Sequence, residues 1–169
     1  MKPVADLQHL ARRFVGAVSA RVDRAELAAL DQLLSPAERQ LFLAMRVADQ
    51  RHSLDLYRRL ECDGHADADL LRAALLHDVG KALGPLPLAY RVAFALCRLT
   101  SPGLAVWLSQ QSRPTWCRPF YLAAHHAELG ARAAERAGSR LRVVQLIASH
   151  DSPGGDRLSR LLYRYDGQM

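Results

Sequence analysis

Four histidines and one aspartate are the residues of this sequence whose types and spacing point most clearly to chemistry. His77 and Asp78 are adjacent, and His52, His126 and His150 lie far from them along the chain. Neighbours on a continuous helix point about 100° apart. The adjacent pair can therefore serve one site only where its helix ends or bends.

A helix end is predicted directly after the His77-Asp78 pair. Gly80 follows two residues later, and glycine commonly terminates a helix. The break would allow both side chains to face the same site.

Apolar periodicity predicts that all four histidines face inward. Each continues a row of apolar positions that recur at spacings of three and four on one helical face. These positions are Leu41, Met45 and Leu56 for His52, Leu70 and Ala73 for His77, Leu122 and Leu129 for His126, and Val143 and Leu146 for His150. A buried imidazole needs partners for its nitrogens. One such histidine is usually a packed core residue, but four with an aspartate favour a shared metal site.

The order of these residues resembles a known family. His52, the HDxxK segment at residues 77–81 and a late aspartate are similar to the pattern of HD-domain metal-dependent phosphohydrolases. Residues 126–131 resemble the HPxxG element of the subfamilies that hold two metals, with Ala127 where proline is usual. The likeness extends from about Ala48 to the C-terminus. It implies a single HD-domain-like helical bundle that hydrolyses a phosphoester or phosphoanhydride.

The donor set predicts one or two divalent transition metal ions. Imidazole and carboxylate suit iron, manganese, cobalt, nickel or zinc, and a set without cysteine favours a catalytic metal. One metal would take His52, His77, Asp78 and a late aspartate. His126 and His150 would add ligands for a second metal, with Asp78 as the bridge. Such a pair can activate a hydroxide and clamp phosphoryl oxygens.

Two residues compete for the place of the late aspartate. Asp151 follows His150 directly but opens a loop rich in proline and glycine, where aspartate is a common turn residue. Asp166 ends a predicted helix whose apolar positions face inward, so its carboxylate can turn toward the core. We favour Asp166.

Three further residues are candidates for substrate binding and catalysis beside Asp78. The resemblance implies that Lys81 lies near the metals and contacts phosphate, although a surface lysine at a helix end is equally compatible. Arg51 either binds phosphate or pairs with a nearby carboxylate. His125, adjacent to His126, is a candidate general acid or a packing residue.

The composition suits a phosphorylated small molecule as partner. The 169 residues are half apolar and carry a net charge of +6, mostly from arginine, which binds phosphate oxygens in pairs. A nucleotide is the favoured ligand class; nucleic acid is compatible but not favoured. Residues 150–155 lack the Gly-Tyr-Pro signature of the cyclic-di-GMP subfamily, so the specific substrate stays open, as does the oligomeric state.

Cysteine usage and hydropathy predict a cytoplasmic protein with no membrane partner. The three cysteines have no CxxC spacing, which is typical of a reducing compartment. No apolar run reaches the 18 residues that a membrane span needs.

The elements predicted to position these residues are all helices. A first helix is expected over about Pro3 to Val18, a capping box at residues 35–38 starts another, and Asp156 starts the last, which runs to about Tyr165. No alternating β-branched run predicts a sheet. Residues 1–46 are expected to form a helical appendage packed on a domain at 47–169.

Two other functions fit the pattern less well. The chain could be a non-catalytic HD-fold module that binds nucleotide or nucleic acid and keeps its metal for stability. It could also be a helical interaction domain without metal.

Overall fold

The computed structural model describes residues 21–168, and all regular secondary structure in this part of the chain is helical. The α-helices are α1 (Arg24–Leu33), α2 (Pro36–Ala44), α3 (Val47–Cys62), α4 (Ala68–Leu76), α5 (Leu88–Thr100), α6 (Pro102–Leu108), α7 (Arg118–Arg136), α8 (Leu141–Ser149) and α9 (Arg157–Asp166). Two 3₁₀ turns cover Val79–Ala82 and Thr115–Cys117. No strand occurs in this part, which confirms the all-α prediction. The helix predicted over about Pro3 to Val18 lies outside the described residues.

Side-chain caps place several helix starts where the sequence predicts them. At α2, the Glu38 amide donates to Ser35 Oγ at 3.3 Å, and the Ser35 amide donates to Glu38 Oε2 at 2.8 Å. Asp67 caps α4 and Asp156 caps α9 through their carboxylates. These bonds satisfy amides that have no partner within the helix.

The main core is built around α4, which packs against α3 and α8. Its residues Leu70 and Ala73 to Leu76 are fully buried. Leu30 and Phe42, from the helices before residue 46, belong to the same continuous core. The boundary predicted at residue 46 falls between α2 and α3, and the described helices before it share one apolar interior with those after it.

A second, smaller core joins α5, α6 and the start of α7. It contains Phe94, Ala105, Leu108, Cys117 and Phe120. Although α5 is strongly apolar, none of the helices in residues 21–168 is both long and apolar enough to cross a bilayer.

Candidate metal centre

The His77-Asp78 pair lies where α4 ends. His77 keeps helical angles, with φ −56° and ψ −32°, whereas Asp78 leaves the helix at φ −97° and ψ 3°. The 3₁₀ turn begins at the next residue. The predicted break is therefore present, but Gly80 does not produce it by a left-handed conformation, because its φ is not positive.

Gly80 has a different function, which is close backbone contact with α7. A Cβ atom at Gly80 would lie 1.9 Å from the carbonyl oxygen of His126, and one at Gly130 would lie 3.0 Å from the Gly80 amide nitrogen. The turn and α7 approach so closely because both residues at the contact, Gly80 and Gly130, lack a side chain. The contact holds His126 beside Asp78. Sequence reasoning missed it, although Gly80 and the glycine of the HxxxG element were its signal.

Six side chains from separate parts of the chain converge to form what we call the histidine–aspartate cluster. They are His52 on α3, His77 and Asp78 after α4, His126 on α7, His150 after α8 and Asp166 at the end of α9. Three overlapping groups of three potential ligand atoms occur among them, with the atoms of each group within 4.8 Å of one another. All four histidines predicted to face inward thus reach one site.

Asp78 lies at the centre of the cluster. Its Oδ1 is 3.6 Å from His126 Nε2 and 3.8 Å from His150 Nε2, and its Oδ2 is 3.5 Å from His77 Nε2. Lys81 Nζ donates to the same Oδ2 at 2.5 Å. The carboxylate therefore faces three imidazoles and one ammonium.

Asp166 closes the opposite side of the cluster. His52 Nε2 donates to its Oδ1 at 2.7 Å, and His77 Nε2 lies 3.6 Å from the same oxygen. Asp151 is exposed in the turn after α8 and lines a surface groove with Phe94. The structure thus brings Asp166, rather than Asp151, to the four histidines.

Hydrogen bonds to the main chain determine which nitrogen of three rings faces the cluster. In each ring Nδ1 lies 2.8–2.9 Å from the carbonyl oxygen three residues earlier. The pairs are His77 with Ala74, His126 with Ala123, and His150 with Ile147. A carbonyl only accepts, so Nδ1 carries the proton and Nε2 of a neutral ring presents a lone pair.

Two of these Nε2 lone pairs face each other. His126 Nε2 and His150 Nε2 are 3.2 Å apart, and neither neutral ring has a proton to place between them. His77 Nε2 and Asp78 Oδ1 are buried without a hydrogen-bond partner in the described part of the chain. Buried polar atoms are costly when unsatisfied. A cation among these atoms would satisfy them, so the donor set fits a divalent metal, and main-chain hydrogen bonding to Nδ1 is the usual support for a histidine ligand.

The pKa shifts of Asp78, His126 and His150 favour their ligand forms at neutral pH, whereas the shift of His77 opposes its ligand form. Burial and the nearby Lys81 lower the pKa of His126 to about 3, and burial lowers the pKa of His150. Burial raises the pKa of Asp78, but Lys81 and the adjacent histidines outweigh it and hold this pKa well below its usual value. For His77, burial lowers the pKa, yet Asp78 and Asp166 raise it overall.

The remaining predicted residues lie beside the cluster. Arg51 forms ion pairs with Glu26 at 2.6 Å and with Asp55 at 2.7 Å. It therefore pairs with carboxylates, which was one of the two alternatives for this residue, and its contact with phosphate stays a prediction. His125 Nδ1 donates to the Tyr121 carbonyl, and its ring stacks on that of Tyr121 with centroids 4.3 Å apart. His125 is in none of the three ligand groups.

One cation near the cluster escaped the sequence analysis. Arg91 on α5 donates to both carboxylate oxygens of Asp49 at 2.6 and 2.8 Å, and the charges of Asp49 and Asp78 raise its pKa against the effect of burial. The available signal was Asp49, three residues before His52 and therefore on the same side of α3.

Comparison with known proteins adds no family to this description. The chain matches no protein-family model, no curated protein and no solved structure. The class defined by fold and site together is thus an all-α protein with a buried histidine–aspartate cluster suited to metal.

Proposed function

We propose that the histidine–aspartate cluster binds one or two divalent transition metals and that the protein is a metal-dependent phosphohydrolase of the HD-domain type. The observation that carries the proposal is the convergence of three imidazole Nε2 atoms on Asp78, with the Nε2 atoms of His126 and His150 only 3.2 Å apart. The order of the ligands along the chain, which resembles that family, supplies the reaction class.

The proposed ligand assignment follows the contacts of the two carboxylates, Asp166 with His52 and His77 and Asp78 with His126 and His150. His52, His77 and Asp166 would hold one side, and His126 and His150 the other, with Asp78 shared. Imidazole with carboxylate suits iron, manganese, cobalt, nickel or zinc. A bound metal of this kind supplies a Lewis acid that polarises phosphoryl oxygens and activates water.

The other residues act through charge and proton transfer. Lys81 keeps Asp78 ionised and oriented through the bond to Oδ2, and its ammonium is placed to attract an anionic substrate. His125 has its Nδ1 proton donated to a carbonyl, so Nε2 is the atom at which it would pass a proton to a leaving oxygen. Arg91, whose guanidinium donates to both carboxylate oxygens of Asp49, adds positive charge beside the cluster.

A nucleotide-like phosphate compound is the proposed substrate class. Support comes from the net charge of +6, carried largely by arginine, and from the cations Lys81 and Arg91 around the cluster. Hydrolysis would cleave a phosphoester or phosphoanhydride bond, with water as the nucleophile.

The test joins metal analysis with turnover. The protein is purified without chelator, its metal content is measured, and hydrolysis of bis-p-nitrophenyl phosphate is followed with added manganese. We expect about one or two metal equivalents and measurable turnover. Asp78→Asn, nearly equal in shape, should lose both, while the exposed Asp151→Asn should keep both.

Two outcomes would overturn parts of the proposal. No bound metal after reconstitution would remove the metal site altogether and favour the helical interaction domain. Metal binding with no hydrolysis of this ester or of a panel of nucleotides would favour the non-catalytic binding module.

A further inference from the structure

A small cavity at the start of α7 carries two arginines that have no acidic partner among the described residues. It has a volume of about 190 Å³ and lies between the end of α6 and the first turns of α7. Its polar lining consists of Gln110, Gln111, Arg113, Thr115, Arg118 and Tyr121. We propose that this cavity binds the phosphoryl group of a soluble phosphate compound, at a site separate from the histidine–aspartate cluster.

The charge distribution around the cavity favours an anion. Between Asp78 and Glu128 the sequence contains five lysines and arginines and no aspartate or glutamate. Of these, Lys81 and Arg91 form ion pairs with Asp78 and Asp49. Neither Arg113 nor Arg118 forms an ion pair with a carboxylate of residues 21–168, so the cavity keeps their positive charge.

Both guanidinium groups are held by aromatic rings. Arg113 lies over Trp107 at 4.2 Å from the ring centroid, and Arg118 lies over Tyr121 at 5.9 Å. Such stacking orients the guanidinium and leaves its in-plane donors available. The cavity therefore has two guanidinium groups that are oriented before any ligand arrives.

One donor of Arg113 is buried and unsatisfied. Its Nη2 donates to Gln110 Oε1 at 2.6 Å, but its Nε is buried and has no hydrogen-bond partner among residues 21–168. A buried N–H without an acceptor is costly. A phosphate oxygen is an acceptor that arginine binds through paired, charge-assisted hydrogen bonds.

The size of the cavity limits the ligand. Pockets for drug-sized molecules hold roughly 300–1,000 Å³, and this one holds about 190 Å³. It has room for inorganic phosphate or for one phosphoryl group, while the remainder of a larger molecule would stay outside.

The cavity and the cluster lie on the same helix but at different places. Arg118 precedes His126 by eight residues on α7, which corresponds to about 12 Å along the axis. No lining residue of the cavity is a member of the cluster. The inference therefore stands independently of the proposed hydrolase function.

The chain offers its own reporter for a binding experiment. Its two tryptophans are Trp107, beneath Arg113, and Trp116, next to Thr115. Inorganic phosphate is titrated into the full-length protein with chelator present and ionic strength held constant with chloride, and tryptophan fluorescence is recorded. We expect a saturable change that chloride does not reproduce.

Variants assign the binding to the cavity. Arg113→Gln and Arg118→Gln should each weaken phosphate binding at least tenfold. Arg132→Gln is the matched control, because Arg132 lies on the same helix but pairs with Glu128, and it should leave binding unchanged. Circular dichroism checks that each variant is folded. If Arg113→Gln disturbs packing on Trp107, the result for Arg118→Gln is used to test the proposal, because Arg118 is exposed.

Three results would overturn the inference. They are a fluorescence change that chloride reproduces, equal weakening by Arg132→Gln, and unchanged binding in a folded Arg118→Gln. A parallel titration with phosphatidylglycerol vesicles separates the two sources of a phosphoryl group. Response to vesicles but not to inorganic phosphate would replace the soluble ligand with a lipid and overturn the proposal as stated.

Discussion

The Nε2 atoms of His126 and His150 lie 3.2 Å apart although both rings use Nδ1 as the donor to a backbone carbonyl. With both rings neutral, two lone pairs face each other in a largely buried space. Such an arrangement repels unless a cation or a proton lies between the nitrogens, and burial with the charge of Lys81 lowers the pKa of His126 to about 3. The pair is thus the part of the site that most needs a metal.

Adjacent histidines on α7 should behave differently. His126→Ala removes a ring that faces Asp78 at 3.6 Å, so it should lose one metal equivalent where the wild type binds two. His125→Ala removes a ring stacked on Tyr121 and should keep the metal while lowering turnover at most. Metal content and rate are measured for both variants; the reverse pattern would contradict the ligand assignment.

The two late aspartates offer a second matched pair. Asp166→Ala should weaken metal binding by roughly ten- to hundred-fold, as for losses around other metal sites, because its carboxylate lies 2.7 Å from His52 Nε2. Asp151→Ala, in the exposed turn, should leave affinity unchanged. Competition with a chromophoric chelator gives both affinities, and equal effects would argue against Asp166 as a ligand.

Glycine 80 should tolerate no side chain. In Gly80→Ala the new Cβ would lie 1.9 Å from the His126 carbonyl oxygen, and backbone on both sides would have to move. The free energy of unfolding should fall by about 3 kcal/mol or more, the upper end of overpacking costs. Gly103→Ala is the control, since nothing lies within 4 Å of its Cβ position. The free energies of unfolding are measured in urea. Equal losses in Gly80→Ala and Gly103→Ala would contradict the close contact at Gly80.

Metal-free protein should lose part of its stability as the pH falls. The pKa of His126 is lowered from 6.5 to about 3 by burial and by Lys81, so between these values the unfolded chain binds a proton that the folded chain excludes. Protonation therefore favours unfolding below about pH 6.5. The raised pKa of His77 acts in the opposite sense, because its contribution is complete at low pH and is lost as the pH rises through that pKa.

The comparison with a variant isolates the contribution of His126. Urea unfolding with chelator present is measured from pH 7 to pH 5 for the wild type and for His126→Gln, which cannot titrate. The variant should show the shallower fall in unfolding free energy. An identical slope in both proteins would mean that His126 does not titrate as described.

Local features of the sequence were sufficient for the helices and for the direction of the histidines. A period of 3.6 residues relates His77, His126 and His150 to apolar neighbours on their own helices, so their inward orientation followed from local spacing. For His52 only Leu56 lies on the same helix, because Leu41 is in α2 and Met45 ends it. The capping box at residues 35–38 acts over three residues and was predictable for the same reason. Arg91 was missed because its partner Asp49 lies on another helix, 42 residues away.

What the amino-acid sequence determined by itself was therefore an all-α chain with inward imidazoles and a helix end at His77-Asp78. Only the tertiary structure decided that Asp166 rather than Asp151 joins them, because that depends on how α9 packs against α3 and α4. Packing also gave Gly80 its function, the contact with the α7 backbone at His126 and Gly130. Helix periodicity is a property of neighbours in sequence, whereas these contacts join residues that only the packed core brings together.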